Sequence, residues 1–139
     1  MAKFWVMKTF KDWSNDFIEK KEIGLDEEGV DLNYLDYQLG DKPIENDLIL
    51  RRFDQFCKWA KVGDYVIVGI GQTTKFNMKI ICKITGEYKF DEHNEPYRHK
   101  RDIEIIKCFE ESIEIKKWGQ MQRIELIDID DFMDTLRYI

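Results

Sequence analysis

The sequence predicts an α+β fold in which a mixed β-barrel of about six strands is flanked by about three helices. Strand patterns dominate the second half of the chain, helix patterns flank them, and no strand–helix–strand rhythm repeats. A doubly wound parallel sheet needs that repeat, so a closed or nearly closed barrel with helices on its outside fits better. At 139 residues the chain has the length of one domain, and we expect residues 1–139 to form a single domain.

The first elements alternate between strand and helix. Residues 3–9, KFWVMKT, combine aromatic and β-branched side chains and predict a strand. Residues 13–21 predict a short helix, because Trp13, Phe17 and Ile18 fall on one face. The segment EIGLDEEG that follows predicts a brief strand running into acid and glycine.

The middle of the first half is less regular and then becomes helical. Residues 31–43 lose clear periodicity and predict a packed loop or a weak helical turn. Residues 46–61 predict a helix that Asn46 or Asp47 caps, with charged side chains on its outer face. Its expected apolar face consists of Ile49, Phe53, Phe56, Cys57 and Ala60.

The second half predicts a run of strands and one helix. A Gly-Gln-Thr-Thr loop at residues 71–74 separates the first two strands, which we expect to be antiparallel neighbours. Asp128 is the predicted cap of the last helix, whose expected apolar stripe is Ile129, Phe132, Met133 and Leu136. The strands are predicted at residues 65–70, 78–84, 102–109, 112–116 and 123–127.

Composition excludes several classes of protein. The net charge of −6 and a pI near 5.0 argue against a sequence-blind nucleic-acid coat, which depends on summed phosphate neutralisation. No apolar run approaches the roughly 18–20 residues of a membrane span, and the N-terminal stretch has no apolar core of a signal peptide. We therefore expect a cytoplasmic protein without a membrane partner.

The cysteines and histidines predict neither disulfides nor a metal site. Cys57, Cys82 and Cys108 lie far apart among apolar neighbours, as buried reduced thiols do. His93 and His99 are not spaced as metal ligands. We expect no metal and no cofactor. The tryptophans Trp5, Trp59 and Trp118, together with Phe4, are expected in the core.

The segment of residues 83–105 concentrates rings and positive charge. Arg98, His99, Lys100 and Arg101 form a run that either clamps a phosphate or is a solvated loop before a strand. Tyr88 and Phe90 either stack on a base or pack in the core. The core alternative follows from strand geometry, because residues two apart lie on the same face of a strand.

Two further features add to the candidate site. Trp13 follows a strand end and a polar stretch, which predicts a ring at the rim of the barrel. Asp26, Glu27 and Glu28 can accept hydrogen bonds from an exocyclic amine, although acidic loop residues usually face solvent only. No nucleophile elbow, phosphate-binding loop, dinucleotide fingerprint or zinc-protease motif is present. We therefore expect a binding module and not an enzyme.

The motifs, taken in order, resemble a known family. KFWVMKT, IGLDEEG, KVGDYVIVGI, KITGEYKF and YRHKRDIEI are similar to the EVE branch of the PUA-like superfamily, which is related to YTH domains. The resemblance spans about residues 3–107 and is greatest to the N-terminal domains of McrB-type and Mrr-type restriction proteins. It implies a PUA-like, EVE-type barrel. Leu25 stands where the family often has tryptophan, and Arg98 where it often has proline.

The resemblance also implies a small pocket at one mouth of the barrel for a single flipped, often methylated, base. The matching positions combine with Trp13, Arg98 and Lys100 to make the expected site. Those matching positions are Thr9, Gly24, Leu25, Asp26, Tyr88, Phe90, His99 and Arg101.

Three hypotheses follow. The first is a reader of a modified base in DNA, with RNA as a second option, that targets a McrBC-type restriction system through a fused or associated AAA+ motor and nuclease. The second is a protein-interaction or small-ligand module on the same barrel, which the acidic first half favours. The third is a small hydrolase of the related ASCH branch, ranked last because the pattern G-x-K-x-x-E-x-R is absent.

Overall fold

A computed structural model describes residues 1–40, 43–71 and 74–139. It confirms an α+β fold with strands concentrated after residue 64. In chain order the elements are β1 (Phe4–Thr9), α1 (Lys11–Lys20), β2 (Glu22–Leu25), α2 (Tyr34–Leu39), α3 (Asp47–Phe53), a π-helical turn (Asp54–Trp59), β3 (Tyr65–Ile70), β4 (Asn77–Ile84), β5 (Lys89–Phe90), β6 (His99–Glu114), a 3₁₀ turn (Lys116–Trp118), β7 (Ile124–Ile127) and α4 (Ile129–Leu136).

The strands form one mixed, curled sheet in the order β2-β6-β4-β3-β1-β7, and the short β5 pairs beside β6. β1 and β3 are parallel, and the other neighbours are antiparallel, including the predicted pair β3–β4. No ladder joins β2 to β7 within the described residues, so the sheet is a half-barrel. The predicted mixed barrel with flanking helices is thus confirmed.

Both faces of the sheet are buried. Alternate residues of β1 point to opposite sides, so Trp5 and Met7 pack against α1 and α3 while Val6 packs toward α4 and the 3₁₀ turn. A bulge between Met78 and Ile80 places these two residues in different core clusters. The uniform alternation predicted for residues 78–84 is therefore interrupted at its start.

β6 is one long bent strand where the sequence predicts two. Its first part pairs with β2 and the remainder with β4. Residues 109–112 bulge opposite Lys79, whose Nζ donates to the carbonyls of Phe109 at 2.6 Å and Glu110 at 3.2 Å. The polar residues in this bulge produced the apparent break in the sequence pattern.

The predicted helix of residues 46–61 is present but changes its winding. Asn46 caps it by accepting hydrogen bonds from the amides of Leu48 and Ile49. Its last turn is π-helical, since the Ala60 amide donates to the Gln55 carbonyl. The wider turn leaves Trp59 42% exposed, so its predicted core position is wrong.

Other local predictions have mixed outcomes. Asp128 caps α4, accepting from the Asp131 amide at 2.8 Å, as predicted. Phe132 and Leu136 of the predicted stripe pack into the core, but Ile129 and Met133 are more than half exposed, so the stripe is narrower than predicted. Cys82 is buried, but Cys108 is exposed on β6, contrary to expectation. Residues 41–42 of the predicted loop or turn and residues 72–73 of the predicted Gly-Gln-Thr-Thr loop lie outside the described residues. None of the helices described is both long enough and apolar enough to cross a bilayer.

Candidate nucleic-acid interface

Two adjoining grooves lie at the end of the sheet where β1 and β3 end and β7 begins. The cationic groove, about 940 Å³, is lined by side chains that include Lys8, Thr9, Arg52 and Gln122. The aromatic groove, about 510 Å³, is lined by side chains that include Trp13, Asp26, Glu95 and Arg98. Phe10 and Arg123 line both, so the grooves share one wall.

The shared wall is a row of rings and one cation. The guanidinium of Arg123 lies 4.7 Å from the centre of the Phe10 ring, and Phe10 meets the edge of Trp13 at 4.9 Å between centroids. Trp13 rests in turn on Tyr97 at 5.5 Å. Phe10 is 50% exposed although it is apolar, because it directly follows the end of β1. An exposed ring held by a half-buried neighbour offers a stacking surface.

A bidentate ion pair between Arg98 and Asp26 holds another part of the wall of the aromatic groove in place. Arg98 donates from Nε to Asp26 Oδ2 at 2.9 Å and from Nη2 to Asp26 Oδ1 at 2.7 Å, and its amide also donates to Oδ2. Burial acts to raise the pKa of Asp26, but the hydrogen bonds from Arg98 outweigh it and lower the pKa. Arg98 also pairs with Asp31 at 3.0 Å. Both predicted residues therefore line the groove while holding the loop after β2 to the start of β6.

The cationic groove concentrates positive charge in an acidic protein. Burial lowers the pKa of Arg123 and the charge of Arg52 lowers it further, while burial and then Arg123 lower the pKa of Lys8. These cations therefore repel one another across the groove. The hydroxyl of Thr9 lines the same groove, is buried, and has no hydrogen-bond partner among the described residues.

The basic run of residues 98–101 does not form one surface, because strand geometry turns alternate side chains to opposite faces. Arg101 is buried and donates to the carbonyls of Phe56, Ala60 and Gly86, and burial lowers its pKa. Lys100 lies 3.7 Å from Glu22 and 3.8 Å from Asp91. Of the predicted clamp, only Arg98 lines a groove.

His99 is fully buried in a polar network of the core. Its Nε2 lies 3.0 Å from the Val30 carbonyl, which can only accept, so Nε2 carries the proton and Nδ1 accepts from the Tyr88 hydroxyl at 2.7 Å. Burial lowers the pKa of His99 and keeps it neutral. Phe90 packs on the same imidazole at 4.8 Å. The predicted trio of Tyr88, Phe90 and His99 thus lies together, away from both grooves.

Gly24 and Leu25 support the aromatic groove from behind. A Cβ atom on Gly24 would lie 1.9 Å from Tyr97 Cδ1, so only glycine admits the ring on which Trp13 rests. Leu25 is 2% exposed and belongs to the core. Its side chain therefore does not replace the tryptophan that the family often presents at this position.

Sequence reasoning missed the residues that form the shared wall of the grooves and their positive charge. Phe10 and Arg123 flank strand ends, and an aromatic residue just after a strand was the available signal for Phe10. Lys8 and Arg52 come from β1 and α3, which only the fold brings together. Nothing in the spacing of these cations along the chain indicates that they meet.

Several solved structures share this fold. A YTH domain of the Zygosaccharomyces rouxii MRB1 protein, solved in complex with N6-methyladenosine RNA, matches with a TM-score of 0.57 at 8% identity, over 98% of this chain and 83% of that one. Human THYN1, solved in complex with 5-methylcytosine-containing DNA, matches with a TM-score of 0.53 at 13% identity, over 98% and 96%. At these identities the likeness shows the fold alone.

A hypothetical protein from Leishmania major has the same fold, with a TM-score of 0.59 at 11% identity over 99% of this chain and 94% of that one. No curated protein sequence matches the chain. One family model, described as "Domain of unknown function (DUF8426)", matches residues 11–127, which is most of the chain. The chain therefore belongs to the DUF8426 family.

Proposed function

We propose that this chain is a nucleic-acid-binding module that recognises a single flipped, methylated base in DNA. One observation carries the proposal: an aromatic groove sized for a small ligand adjoins a cationic groove, and the two share the Phe10–Arg123 wall. A base and its flanking phosphate need such adjacent surfaces. The whole chain, residues 1–139, acts as one binding domain in this proposal.

The base enters the aromatic groove. Extruding a base from a duplex costs a few kcal/mol, and stacking on a ring returns roughly 1–3 kcal/mol. Phe10 and Trp13 supply that surface, and the carboxylates of Glu28 and Glu95 line the groove as acceptors for an exocyclic amine. Burying one methyl group adds about 0.8 kcal/mol, so discrimination of methylation also needs polar groups that are left unpaired by the unmodified base.

The phosphate occupies the cationic groove. Lys8, Arg52 and Arg123 line it, and an anion between them relieves their mutual repulsion. The buried Thr9 hydroxyl can donate to a phosphate oxygen. Such contacts fix the position of the strand and leave the choice of base to the aromatic groove.

The expected site residues take different parts in this proposal. Thr9, Trp13, Asp26 and Arg98 line the grooves and contact the ligand or hold its wall. The other expected residues support the fold and line neither groove. Those are Gly24, Leu25, Tyr88, Phe90, His99, Lys100 and Arg101.

The fold likeness supports a modified base as the target. Two proteins of this fold were solved with methylated nucleic acids, one with N6-methyladenosine RNA and one with 5-methylcytosine DNA. We infer by analogy of fold that this chain reads a methylated base and leaves chemistry to other proteins. The motif resemblance to McrB-type and Mrr-type proteins supports a role as the targeting domain of a McrBC-type restriction system, with an AAA+ motor and nuclease as partners.

Fluorescence anisotropy with labelled duplexes tests the proposal. The duplexes carry N6-methyladenine, 5-methylcytosine or 5-hydroxymethylcytosine at one central position, and an unmodified duplex of the same sequence is the reference. We expect tighter binding to at least one modified duplex at low salt, and single-stranded RNA versions decide between DNA and RNA. Equal binding of all probes, or none, would contradict the proposal.

A protein-interaction or small-ligand module is the second candidate. The observation that favours it is the acidic rim of the aromatic groove, which Glu27, Glu28, Asp31 and Glu95 line, in a chain of net charge −6. A partner of that kind binds without the steep salt dependence of phosphate contacts. Co-purification of one dedicated partner, with no salt-dependent nucleic-acid binding, would favour this candidate.

A further inference from the structure

One ion pair connects the two grooves. Arg52 lines the cationic groove, Glu27 lines the aromatic groove, and Arg52 Nη1 donates to Glu27 Oε2 at 3.2 Å. Both side chains are partly covered, with 21% of Arg52 and 27% of Glu27 exposed. The ion pair therefore lies between the groove that would hold a phosphate and the groove that would hold a base.

Arg52 is only partly satisfied by this partner. Its Nε is buried and has no hydrogen-bond partner in the part of the chain that the structure describes. A guanidinium offers a planar fork of donors that fits a phosphate in two-point contact, whereas Glu27 takes one of those donors at 3.2 Å. The positive charge of Arg52 is also crowded by Arg123 on the far side of the groove. An entering phosphate is thus a stronger acceptor for Arg52 than Glu27 is.

We propose that Arg52 and Glu27 form an exchangeable ion pair that couples phosphate binding to base recognition. A backbone phosphate in the cationic groove draws the Arg52 guanidinium away from Glu27. The released Glu27 carboxylate then accepts a hydrogen bond from a donor on the base in the aromatic groove. The site therefore favours bases that carry an exocyclic amine and that are presented on a charged strand. This inference rests on the proposed function.

The test compares two glutamate variants and two backbones. Glu27→Gln removes the charge that competes for Arg52 but keeps an amide oxygen that can accept from the base. Glu92→Gln makes the same change of net charge on an exposed residue that lines neither groove and is the matched control. The probes are the best-bound modified oligonucleotide from the anisotropy panel, with either ordinary phosphodiesters or uncharged methylphosphonates flanking the modified base.

The expected result is specific to one variant and one backbone. Glu27→Gln tightens binding of the phosphodiester probe by about two- to fivefold more than Glu92→Gln does, the range expected for a partly exposed ion pair. That extra gain disappears on the methylphosphonate probe and in an Arg52→Gln background. Thermal unfolding of each variant verifies that the fold is retained.

Other outcomes overturn the inference in distinguishable ways. Equal gains for the two glutamate variants mean a general charge effect, and weaker binding by Glu27→Gln means that Glu27 only positions Arg52. In both cases the coupling is wrong while the proposed function stands. If the wild-type chain binds none of the probes at low salt, the coupling and the proposed function fail together.

Discussion

The guanidinium of Arg101 donates a 2.7 Å hydrogen bond to the carbonyl of Ala60, at the end of the π-helical turn. It donates to the Phe56 carbonyl as well, at 3.0 Å. The sequence pattern suggests Arg101 as a phosphate ligand. In the structure its hydrogen bonds instead connect β6 to the helix that packs across the sheet. Substitution of Arg101 should therefore affect folding, whereas substitution of residues that line the grooves should affect binding.

Arg101→Met should destabilise the fold. The substitution leaves buried carbonyls without a donor, and we expect a loss of about 2–3 kcal/mol in the free energy of unfolding. Urea unfolding measures it. Lys100→Met, one residue earlier with looser ion pairs, is the control and should lose much less. Equal losses would mean that the buried hydrogen bonds of Arg101 are not important for stability.

Gly24→Ala should be destabilising because the added methyl overlaps the buried Tyr97 ring. We expect a loss of about 1–3 kcal/mol, the range for forced overpacking, together with weaker ligand binding because Trp13 rests on the same ring. The double variant Gly24→Ala, Tyr97→Leu should recover part of the stability in thermal or urea unfolding. No recovery would show that the ring is not the obstacle.

Stability should fall as the pH drops below about 6.5, the ordinary pKa of histidine. Burial lowers the pKa of His99 in the folded state, so the unfolded chain binds the proton more readily and acid favours unfolding. Thermal melts between pH 7.5 and 5 should show this loss in the wild type and a smaller loss in His99→Gln. His93→Gln, at an exposed histidine, is the control for replacing an imidazole elsewhere in the chain.

Phe10→Ala should weaken binding of the modified duplex with little change in stability. The ring is half-exposed, and removal of a stacking surface corresponds to about 1–3 kcal/mol per base. Trp59→Ala removes another exposed ring, one that lines neither groove, and should bind as the wild type does. If the two variants lose affinity equally, the aromatic groove is not the base site.

Arg123→Gln should reduce the salt dependence of DNA binding. Removing one phosphate contact lowers the slope of log K against log salt by about 1 and weakens modified and unmodified duplexes alike. Arg137→Gln removes an exposed cation from the end of α4 and should leave the slope unchanged. An unchanged slope for Arg123→Gln would place the phosphate elsewhere.

Local sequence patterns correctly predicted the elements that depend on interactions between residues close together in the chain. The strand at Tyr65–Ile70 and the caps Asn46 and Asp128 agree with the structure, because capping and strand propensity act over a few residues. The π-helical turn that exposes Trp59 and the bulge that makes β6 continuous depend on partners far along the chain. The local periodicity of the sequence does not indicate those partners.

The sequence by itself determined the fold class, the order of most elements, and the presence of Trp13, Asp26 and Arg98 near one end of the barrel. Only the tertiary structure decided that Arg101 and His99 turn inward and that Lys8, Arg52 and Arg123 meet in one groove. The physical reason is that propensity and capping are short-range, whereas burial of a charge and repulsion between cations depend on which strands and helices the curled sheet brings together.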